Sequence, residues 1–273
     1  MTTLVYHNPD IVLGYHISKL PSLHATFERM LDTPLTAYQI YSTNSRGFSA
    51  PKIVVSDLLE ARRFLDRNNK RCFVHASLLY NMCGSVNHRE DTSFDTNVDR
   101  VCKCLTSELD VSAALGGGSV VHIGSCRFKD KGVYTITKTI EDVLTHTTNT
   151  TKEVSNALST DPDKLKKQRR IYLENCSAEG NKIGASLKEI ASIIDSVDEN
   201  VRAQVSVCYD TAHSWGAGEF DFGNPDEIDR FYSEFDELIG LDKLGLFHFN
   251  DSRATFGSHR DLHENLGWVI SLV

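Results

Sequence analysis

The segment His248–His263 has the sequence HFNDSRATFGSHRDLH and follows a short apolar run, Leu244–Phe247, with the composition of a buried strand. It is a polar loop with one glycine, three histidines and two aspartates. Imidazole and carboxylate groups bind Zn²⁺, and an extended backbone would direct Asp261 and His263, two positions apart, to the same side. Alone, the segment is compatible with a solvated histidine-rich loop or with a metal site. The ends of the preceding strands favour the metal site.

The rest of the chain alternates predicted strands and helices, which is typical of parallel βαβ units. The predicted strands are Ile11–Ile17, Ala37–Tyr41, Arg71–His75, Ser119–His122, Arg170–Glu174, Ala203–Asp210 and Leu244–Asn250. The predicted helices are Leu20–Met30, Ser56–Asn68 with Ser56 as its N-cap, Asn97–Leu115, Val133–Leu158, Ser186–Ser196 and Pro225–Ile239. The charged segment Asp161–Arg169 is expected to be a solvated connection. No linker divides residues 1–273, so we expect one α/β domain, either a doubly wound open sheet or a (β/α) barrel.

Composition narrows the class of protein. The 273-residue chain is 40% hydrophobic, enough for a full core, and has no run of about 18 apolar residues that could span a membrane. Its N-terminus lacks the order of a signal peptide, and its seven cysteines include no CxxC pair, which favours an intracellular, non-secreted protein with reduced thiols. Cys102 and Cys104 are expected to be structural residues on a helix. The net charge of −8 argues against a nucleic-acid partner, but bound divalent cations would offset it. The charge therefore does not decide whether the protein binds nucleic acid.

The positions of the glycines argue against a nucleotide cofactor. No GxGxxG follows the first predicted strand, and the run Gly116–Gly118 precedes a strand instead of opening a helix. Dinucleotide-binding and P-loop proteins need their glycines at the start of a helix. Gly116–Gly118 is instead predicted to end the preceding helix.

Five consecutive predicted strands end on a potential metal ligand. These strand-end residues are His75, His122, Glu174, Asp210 and His248. A single histidine at a strand end is more often a core residue, but five ligand-type residues in series are poorly explained in that way. In a closed parallel barrel the carboxyl ends of the strands converge on one mouth, where barrel enzymes place their chemistry.

Three further candidate ligands follow these strands. They are His213, Asp261 and His263. Together the eight residues exceed what one tetrahedral Zn²⁺ can use, so more than one metal is predicted. Closely spaced metals suit phosphoester cleavage, because they activate the attacking water and stabilise the leaving oxygen together.

The segments that carry these residues resemble the endonuclease IV family of apurinic/apyrimidinic endonucleases. The matching segments are Val74–Ser77 (VHAS), Val121–Ser125 (VHIGS), Leu173–Asn175 (LEN), Cys208–His213 (CYDTAH) and His248–His263, within a match from about Gly14 to Gly267. The resemblance implies a TIM barrel with up to three zinc ions. It also implies cleavage of double-stranded DNA on the 5′ side of an abasic residue, leaving a 3′-hydroxyl.

The resemblance implies a role for each candidate residue. The implied ligands of the first zinc are His75 and His122, with Glu174 bridging it to the second zinc. The second zinc would also be bound by Asp210 and His248, and the third by His213, Asp261 and His263. The implied catalytic residues are Glu174, Asp210 and His213. A hydroxide shared by the first two metals would attack phosphorus, while the third zinc would stabilise the leaving 3′ oxygen.

Residues outside the metal set are candidates for DNA contact. Arg46 matches the family's loop residue that enters DNA at the lesion, the alternative being an ordinary exposed arginine. Phe48 could stack on a base or anchor this loop. Leu78 stands where the family has an aromatic residue, and Tyr80 lies nearby but out of register. The side chain that wedges into the DNA on that side would therefore be aliphatic or supplied differently.

A second departure from the family lies at Gly267–Val273, where the family continues into an eighth strand that ends on a glutamate ligand. We therefore expect seven βα units without that ligand, a second zinc that is held less firmly, and lower catalysis. The family pattern implies a monomer, although an unclosed sheet edge would favour association.

Two alternatives stay open at this point. A two-metal sugar isomerase shares a barrel with Glu, Asp and His at its strand ends, but it does not need the third cluster of His213, Asp261 and His263. The other alternative is a truncated, inactive DNA-binding relative. A metal count and a cleavage assay on an abasic duplex would separate the three possibilities.

Overall fold

Seven parallel strands form one curled sheet in the computed structural model, which describes residues 12–84 and 96–267. The strands are β1 (Gly14–His16), β2 (Ala37–Tyr41), β3 (Arg71–His75), β4 (Ser119–His122), β5 (Ile171–Glu174), β6 (Val205–Asp210) and β7 (Leu244–His248). Each strand pairs in parallel with the next one along the chain. A short antiparallel pair, β8 (Asp251–Ser252) and β9 (His263–Glu264), follows β7.

Helices connect the strands of this sheet. They are α1 (Leu23–Glu28), α2 (Val55–Arg67), α3 (Thr96–Ala114), α4 (Lys129–Thr145), α5 (Asn149–Ala157), α6 (Pro162–Gln168), α7 (Leu187–Ser196), α8 (Glu199–Arg202), α9 (Thr211–Ala217) and α10 (Pro225–Leu238). In the part of the chain that the structure describes, no helix is both long enough and apolar enough to cross a membrane.

The strand order decides between the two predicted architectures. Because the order is sequential, every crossover advances in the same direction around the sheet, as in a (β/α) barrel. A doubly wound sheet would instead reverse its order at a switch point. The predicted TIM-barrel architecture with seven βα units is confirmed, and β1 and β7 are the edges of the described sheet. The expectation about an eighth strand concerns residues 268–273, which lie outside the described residues.

Four predicted strands are longer than the observed ones. β5 starts one residue and β6 two residues after the predicted start. β1 starts at Gly14, and Ile11 of the predicted strand lies outside the described residues. β7 ends at His248, two residues before the predicted end at Asn250. Asn250 leaves the sheet because its backbone N–H donates to the Thr211 hydroxyl at 3.0 Å, and that hydroxyl donates back to the Asn250 carbonyl at 2.7 Å.

The predicted single helix Val133–Leu158 is wrong, because the segment contains two helices, α4 and α5. Thr148 starts α5 with a capping box: its hydroxyl accepts the Thr151 N–H at 3.1 Å, and the Thr151 hydroxyl accepts the Thr148 N–H at 2.9 Å. The box satisfies N–H groups that would otherwise be unbonded at a helix start. It uses Thr151 where Glu or Gln is usual, so the usual sequence signature is missing.

The predicted solvated connection Asp161–Arg169 is exposed at five of its nine residues, but it is not a simple connection. It contains α6, and it ends on Arg169, whose side chain is completely buried. Arg169 donates to Asp110 Oδ1 through Nε at 2.9 Å and through Nη2 at 2.8 Å. Its Nη1 also donates to three carbonyls at the end of α4, those of Val143, Leu144 and His146. The segment therefore forms a helix and supplies the cation of a buried ion pair.

The predicted N-cap Ser56 does not cap α2. The helix begins at Val55, after an N-cap residue that makes no side-chain capping bond. The neighbouring Asp57 carboxylate turns instead towards α1, where it accepts the N–H groups of Leu23 at 2.6 Å and His24 at 3.0 Å. These donors lie in the first turn of α1, where a helix has no internal acceptors, so α2 caps its neighbour.

The turn from α3 to β4 depends on the predicted glycines. Gly116 has φ +80°, a conformation that favours glycine at the end of a helix. A Cβ on Gly117 would lie 1.8 Å from the Cys72 carbonyl oxygen, so only glycine lets this turn approach β3. On α3 itself, Cys102 and Cys104 are buried, in agreement with the structural role predicted for them, and all seven cysteines are unpaired.

Candidate metal centre

Five strands bring the predicted ligands to one edge of the sheet. β3, β4, β5, β6 and β7 end at His75, His122, Glu174, Asp210 and His248, respectively. In the sheet register His122 lies beside Glu174, and Asp210 lies beside His248. Parallel strands that end together direct their last side chains into one mouth, and the structure shows this convergence.

Glu174 lies at the centre of the mouth. Its side chain is 2% exposed. Oε1 lies 2.7 Å from His248 Nδ1, while Oε2 lies 3.0 Å from His122 Nε2 and 3.3 Å from His75 Nε2. A carboxylate with imidazole groups at both oxygens, from strands on either side, has the geometry of a bridging ligand.

The residues around Glu174 fit a metal ion. Glu174 Oε2 is buried and, among the described residues, accepts no well-directed hydrogen bond, although two imidazole nitrogens are near it. A buried oxygen without a partner is costly. One ligand atom from each of His75, His122 and Glu174 lies within 4.8 Å of the others. A cation among them would satisfy the oxygen and both nitrogens.

A further group of ligands adjoins this one. Ligand atoms of Asp210, His213 and His263 lie within 4.8 Å of one another. Asp261 joins them, with Oδ2 at 3.3 Å from His213 Nε2 and Oδ1 at 3.1 Å from His263 Nε2. The pairing of β8 with β9 returns the chain to the mouth and places His263 opposite Ser252. The structure therefore brings all eight predicted ligands together.

Backbone carbonyls orient two of the imidazole rings. His75 Nδ1 lies 2.8 Å from the Ala76 carbonyl, and His213 Nδ1 lies 2.9 Å from the Asn175 carbonyl. When Nδ1–H donates to a carbonyl, Nε2 carries the lone pair that binds a metal. Asp210 is the N-cap of α9 and accepts the His213 N–H at 3.0 Å, which fixes the start of the helix that carries His213.

Charge in the mouth is balanced between carboxylates and imidazoles. Burial opposes ionisation of Glu174, but His122 and His248 hold its pKa well below the ordinary value. Burial disfavours the charged form of His213, but Asp210 and other carboxylates raise its pKa to about 10. Protons on imidazoles therefore compensate the buried carboxylates. A bound cation would replace those protons, so metal binding is coupled to proton release.

Three residues at this site are missing from the predicted set. The Cys208 thiol is buried within 4.8 Å of ligand atoms of Glu174 and His248. Its position two residues before the end of β6, on the same face of the strand, could have revealed it. Gln39 Oε1 lies 3.0 Å from His248 Nε2, and Gln39 Nε2 lies 3.2 Å from His16 Nδ1. His16 ends β1, but the predicted strand runs one residue further, to Ile17, so the strand-end signal does not select His16 from the sequence.

The loop after β2, residues 42–50, lies at the same edge of the sheet, and we call it the β2 loop. Arg46 is exposed on this loop. Phe48 is half-buried, with its ring centroid 5.5 Å from that of Tyr80 and 4.7 Å from the guanidinium carbon of Arg100. These contacts support the anchoring alternative for Phe48. DNA contact by Arg46 stays a prediction.

The residues considered for a wedge differ in exposure. Leu78 is 39% exposed, whereas Tyr80 is 3% exposed and donates its hydroxyl to Glu108 at 2.8 Å. Tyr80 is therefore committed to the protein interior. Of these two residues, only the aliphatic one is placed to meet a ligand.

Comparison with known proteins adds to this geometry. Residues 27–270 match the family model described as xylose isomerase-like TIM barrel. A protein named probable endonuclease 4 from Thermoplasma volcanium is 31% identical over 259 residues, which is 93% of this chain and 79% of that protein. The crystal structure of endonuclease IV from Thermus thermophilus has a TM-score of 0.70 at 22% identity, over 94% of this chain and 82% of that one. A xylose isomerase domain protein from Planctomyces limnophilus has a TM-score of 0.58 at 12% identity, over 96% of this chain and 83% of that one. The chain therefore belongs to the endonuclease IV family within the xylose isomerase-like TIM barrels.

Proposed function

We propose that this protein is a zinc-dependent endonuclease that cuts double-stranded DNA at the phosphodiester 5′ to an abasic site and leaves a 3′-hydroxyl. The observation that carries the proposal is the cluster of adjoining ligand groups at one barrel mouth. The relative from Thermoplasma volcanium, named probable endonuclease 4, supports the nuclease class.

The ligands divide into three sets. These are His75 and His122 with Glu174; Asp210 and His248 with Glu174; and His213, Asp261 and His263. Bound zinc would supply Lewis-acid activation of water and stabilisation of the leaving oxygen. Glu174 joins the first two sets, because its two oxygens face histidines of different strands. Asp210 and His213 adjoin each other through the α9 cap, so the third set is held close to the second.

DNA would approach the mouth along its rim. The exposed side chain of Arg46 would contact the strand at the lesion. An abasic site lowers the cost of opening the duplex, since one base is already missing from the stack. The net charge of −8 does not oppose this, because bound divalent cations would concentrate positive charge at the mouth.

A sugar isomerase is the second candidate. The family description and the xylose isomerase domain protein at TM-score 0.58 favour it. A two-metal isomerase has no need for the group of His213, Asp261 and His263, whereas a nuclease with a third metal does. This group and the 31% identity to a protein named probable endonuclease 4 favour the nuclease. An inactive relative would bind an abasic duplex without cutting it.

Metal content tests the proposed site. Protein saturated with zinc and then freed of loose metal is expected to hold more than one zinc per chain, because its ligands exceed the capacity of a single ion. His263→Ala should lose one zinc and keep the fold, since that side chain is 43% exposed. Elemental analysis of both proteins measures this. At most one firmly held zinc in the parent would contradict the site.

Arg46→Ala is expected to weaken binding to an abasic duplex about tenfold and to leave the melting temperature unchanged, because Arg46 is exposed. Fluorescence anisotropy with abasic and intact duplexes measures the affinities. Arg67→Ala is the matched control, since Arg67 is an exposed arginine in the last turn of α2. Equal affinity of Arg46→Ala and the parent for the abasic duplex would refute the assignment.

A further inference from the structure

The β2 loop is fastened to the loop after β3, residues 76–84, which we call the β3 loop. The Ser77 hydroxyl donates to the Ser45 carbonyl at 3.1 Å and accepts the Gly47 N–H at 3.3 Å. The Leu78 N–H donates to the same Ser45 carbonyl at 2.8 Å. The two loops therefore form one joined surface, with Arg46 between the two bonded residues of the β2 loop.

A single carboxyl group on α3 accepts hydrogen bonds from both loops. Glu108 is completely buried. Its Oε1 accepts a hydrogen bond from the Tyr80 hydroxyl at 2.8 Å and from the Thr43 hydroxyl at 3.3 Å. Thr43 belongs to the β2 loop and Tyr80 to the β3 loop. Each loop is thus tied to the same acceptor.

A second contact with α3 repeats this arrangement nearer the start of the helix. The Phe48 ring contacts both Arg100 of α3 and the Tyr80 ring of the β3 loop. Burial raises the pKa of Glu108 to about 8, and among the described residues no cation pairs with it. Burial therefore favours the neutral form of Glu108 near pH 7, and the side chain holds the loops through hydrogen bonds, which have a preferred direction.

We propose that Glu108 is a positioning residue for DNA, which fixes the β2 and β3 loops in one orientation and so presents Arg46 to the lesion. The inference rests on the proposed function, because it assigns Glu108 a role in binding abasic DNA through Arg46. The Glu108 side chain itself is buried and does not touch substrate.

Two variants separate the hydrogen bonds from the bulk of the side chain. Glu108→Leu removes the acceptor and is expected to weaken affinity for an abasic duplex about tenfold, since small misplacement of binding groups has large effects. Glu108→Gln keeps a carbonyl oxygen for Tyr80 and Thr43, and should bind within about twofold of the parent. In both, the cleavage rate at saturating DNA should stay close to that of the parent, so the loss appears in KM.

A second hydroxyl deletion, which removes more hydrogen bonds than Tyr80→Phe, controls for stability. Tyr80→Phe removes a hydroxyl that donates to the buried Glu108. Thr151→Val removes a hydroxyl that donates at 2.7 Å to Asp110, another buried carboxyl of α3, and that also accepts the Thr148 N–H in the α5 capping box. Thr151 is far from both loops in sequence. Tyr80→Phe should weaken DNA binding, whereas Thr151→Val should not. Equal weakening by both would show a general effect of stability and overturn the proposal.

The decisive measurement is a double-mutant cycle with Arg46→Ala. If Glu108 acts by presenting Arg46, adding Glu108→Leu to Arg46→Ala costs no further affinity. Additive losses, or unchanged affinity in Glu108→Leu alone, would overturn the proposal. Tryptic cleavage after Arg46, measured without DNA, should also be faster in Glu108→Leu than in Thr151→Val. If the parent shows no preference for abasic DNA, the proposed function is wrong, and the trypsin comparison then decides whether Glu108 orders the loop.

Discussion

Glu174→Gln is expected to lower the rate of cleavage of an abasic duplex at least about a thousandfold, which corresponds to about 4 kcal/mol in the activation barrier. The substitution keeps the size of the side chain but removes its charge and converts one oxygen into an amide NH₂. An amide NH₂ group is a hydrogen-bond donor and does not bind a metal. Depending on its orientation, it would replace the oxygen that faces His122 and His75 or the oxygen that faces His248. The two ligand sets that Glu174 joins would therefore be uncoupled.

Zinc content and single-turnover cleavage of the same Glu174→Gln preparation measure this effect. Glu219→Gln is the control, because Glu219 is half-buried, accepts the Tyr209 hydroxyl at 3.0 Å, and lies outside the ligand sets. The control should keep its zinc and its rate. A Glu174→Gln protein that cuts at the parental rate would show that Glu174 has no bridging role.

Arg169→Ala is expected to lower the free energy of unfolding by about 3–5 kcal/mol, the usual effect of removing one partner from a buried ion pair. It would leave Asp110 completely buried without its cation and three carbonyls at the end of α4 without a donor. Urea unfolding followed by circular dichroism measures the loss. Lys138→Ala, which breaks a partly exposed pair with Glu141, should have a much smaller effect on the unfolding midpoint.

A double replacement separates loss of the pair from loss of packing. Burial raises the pKa of Asp110 even though Arg169 lowers it, so desolvation outweighs the attraction between the partners. Arg169→Met with Asp110→Leu removes both charges and should recover part of the stability lost in Arg169→Ala. A double variant that is less stable than Arg169→Ala would show that the hydrogen bonds, and not the uncompensated charge, dominate.

The barrel and its ligands could be predicted because their signals are local. Alternating elements indicate parallel βαβ units, and a His, Asp or Glu as the last residue of a strand is visible without knowing its neighbours. The same rule misses His16, because the predicted first strand runs to Ile17 whereas β1 ends at His16. Arg169 shows where local signals fail. It stands in a charged segment, and its partner Asp110 lies 59 positions earlier.

Contacts between distant segments also explain the other differences. Gln39 reaches His248 across 209 positions, so nothing near Gln39 marks it as part of the metal centre. Tyr80 lies near the family's aromatic position but out of register, and its hydroxyl donates to Glu108, 28 positions later. Sequence spacing therefore predicts the role of a loop residue only where its side chain has no buried hydrogen-bond partner from a distant segment.

The most direct test of the proposed chemistry is to map the cut that zinc-loaded protein makes in a duplex with one abasic site and a label at the 5′ end of the damaged strand. We predict a single cut immediately 5′ to the abasic residue, a labelled product that a DNA polymerase extends because it ends in a 3′-hydroxyl, and no cut in an intact duplex. Cleavage on the 3′ side, a product that cannot be extended, or no cleavage by protein that holds several zinc ions would contradict the proposed function.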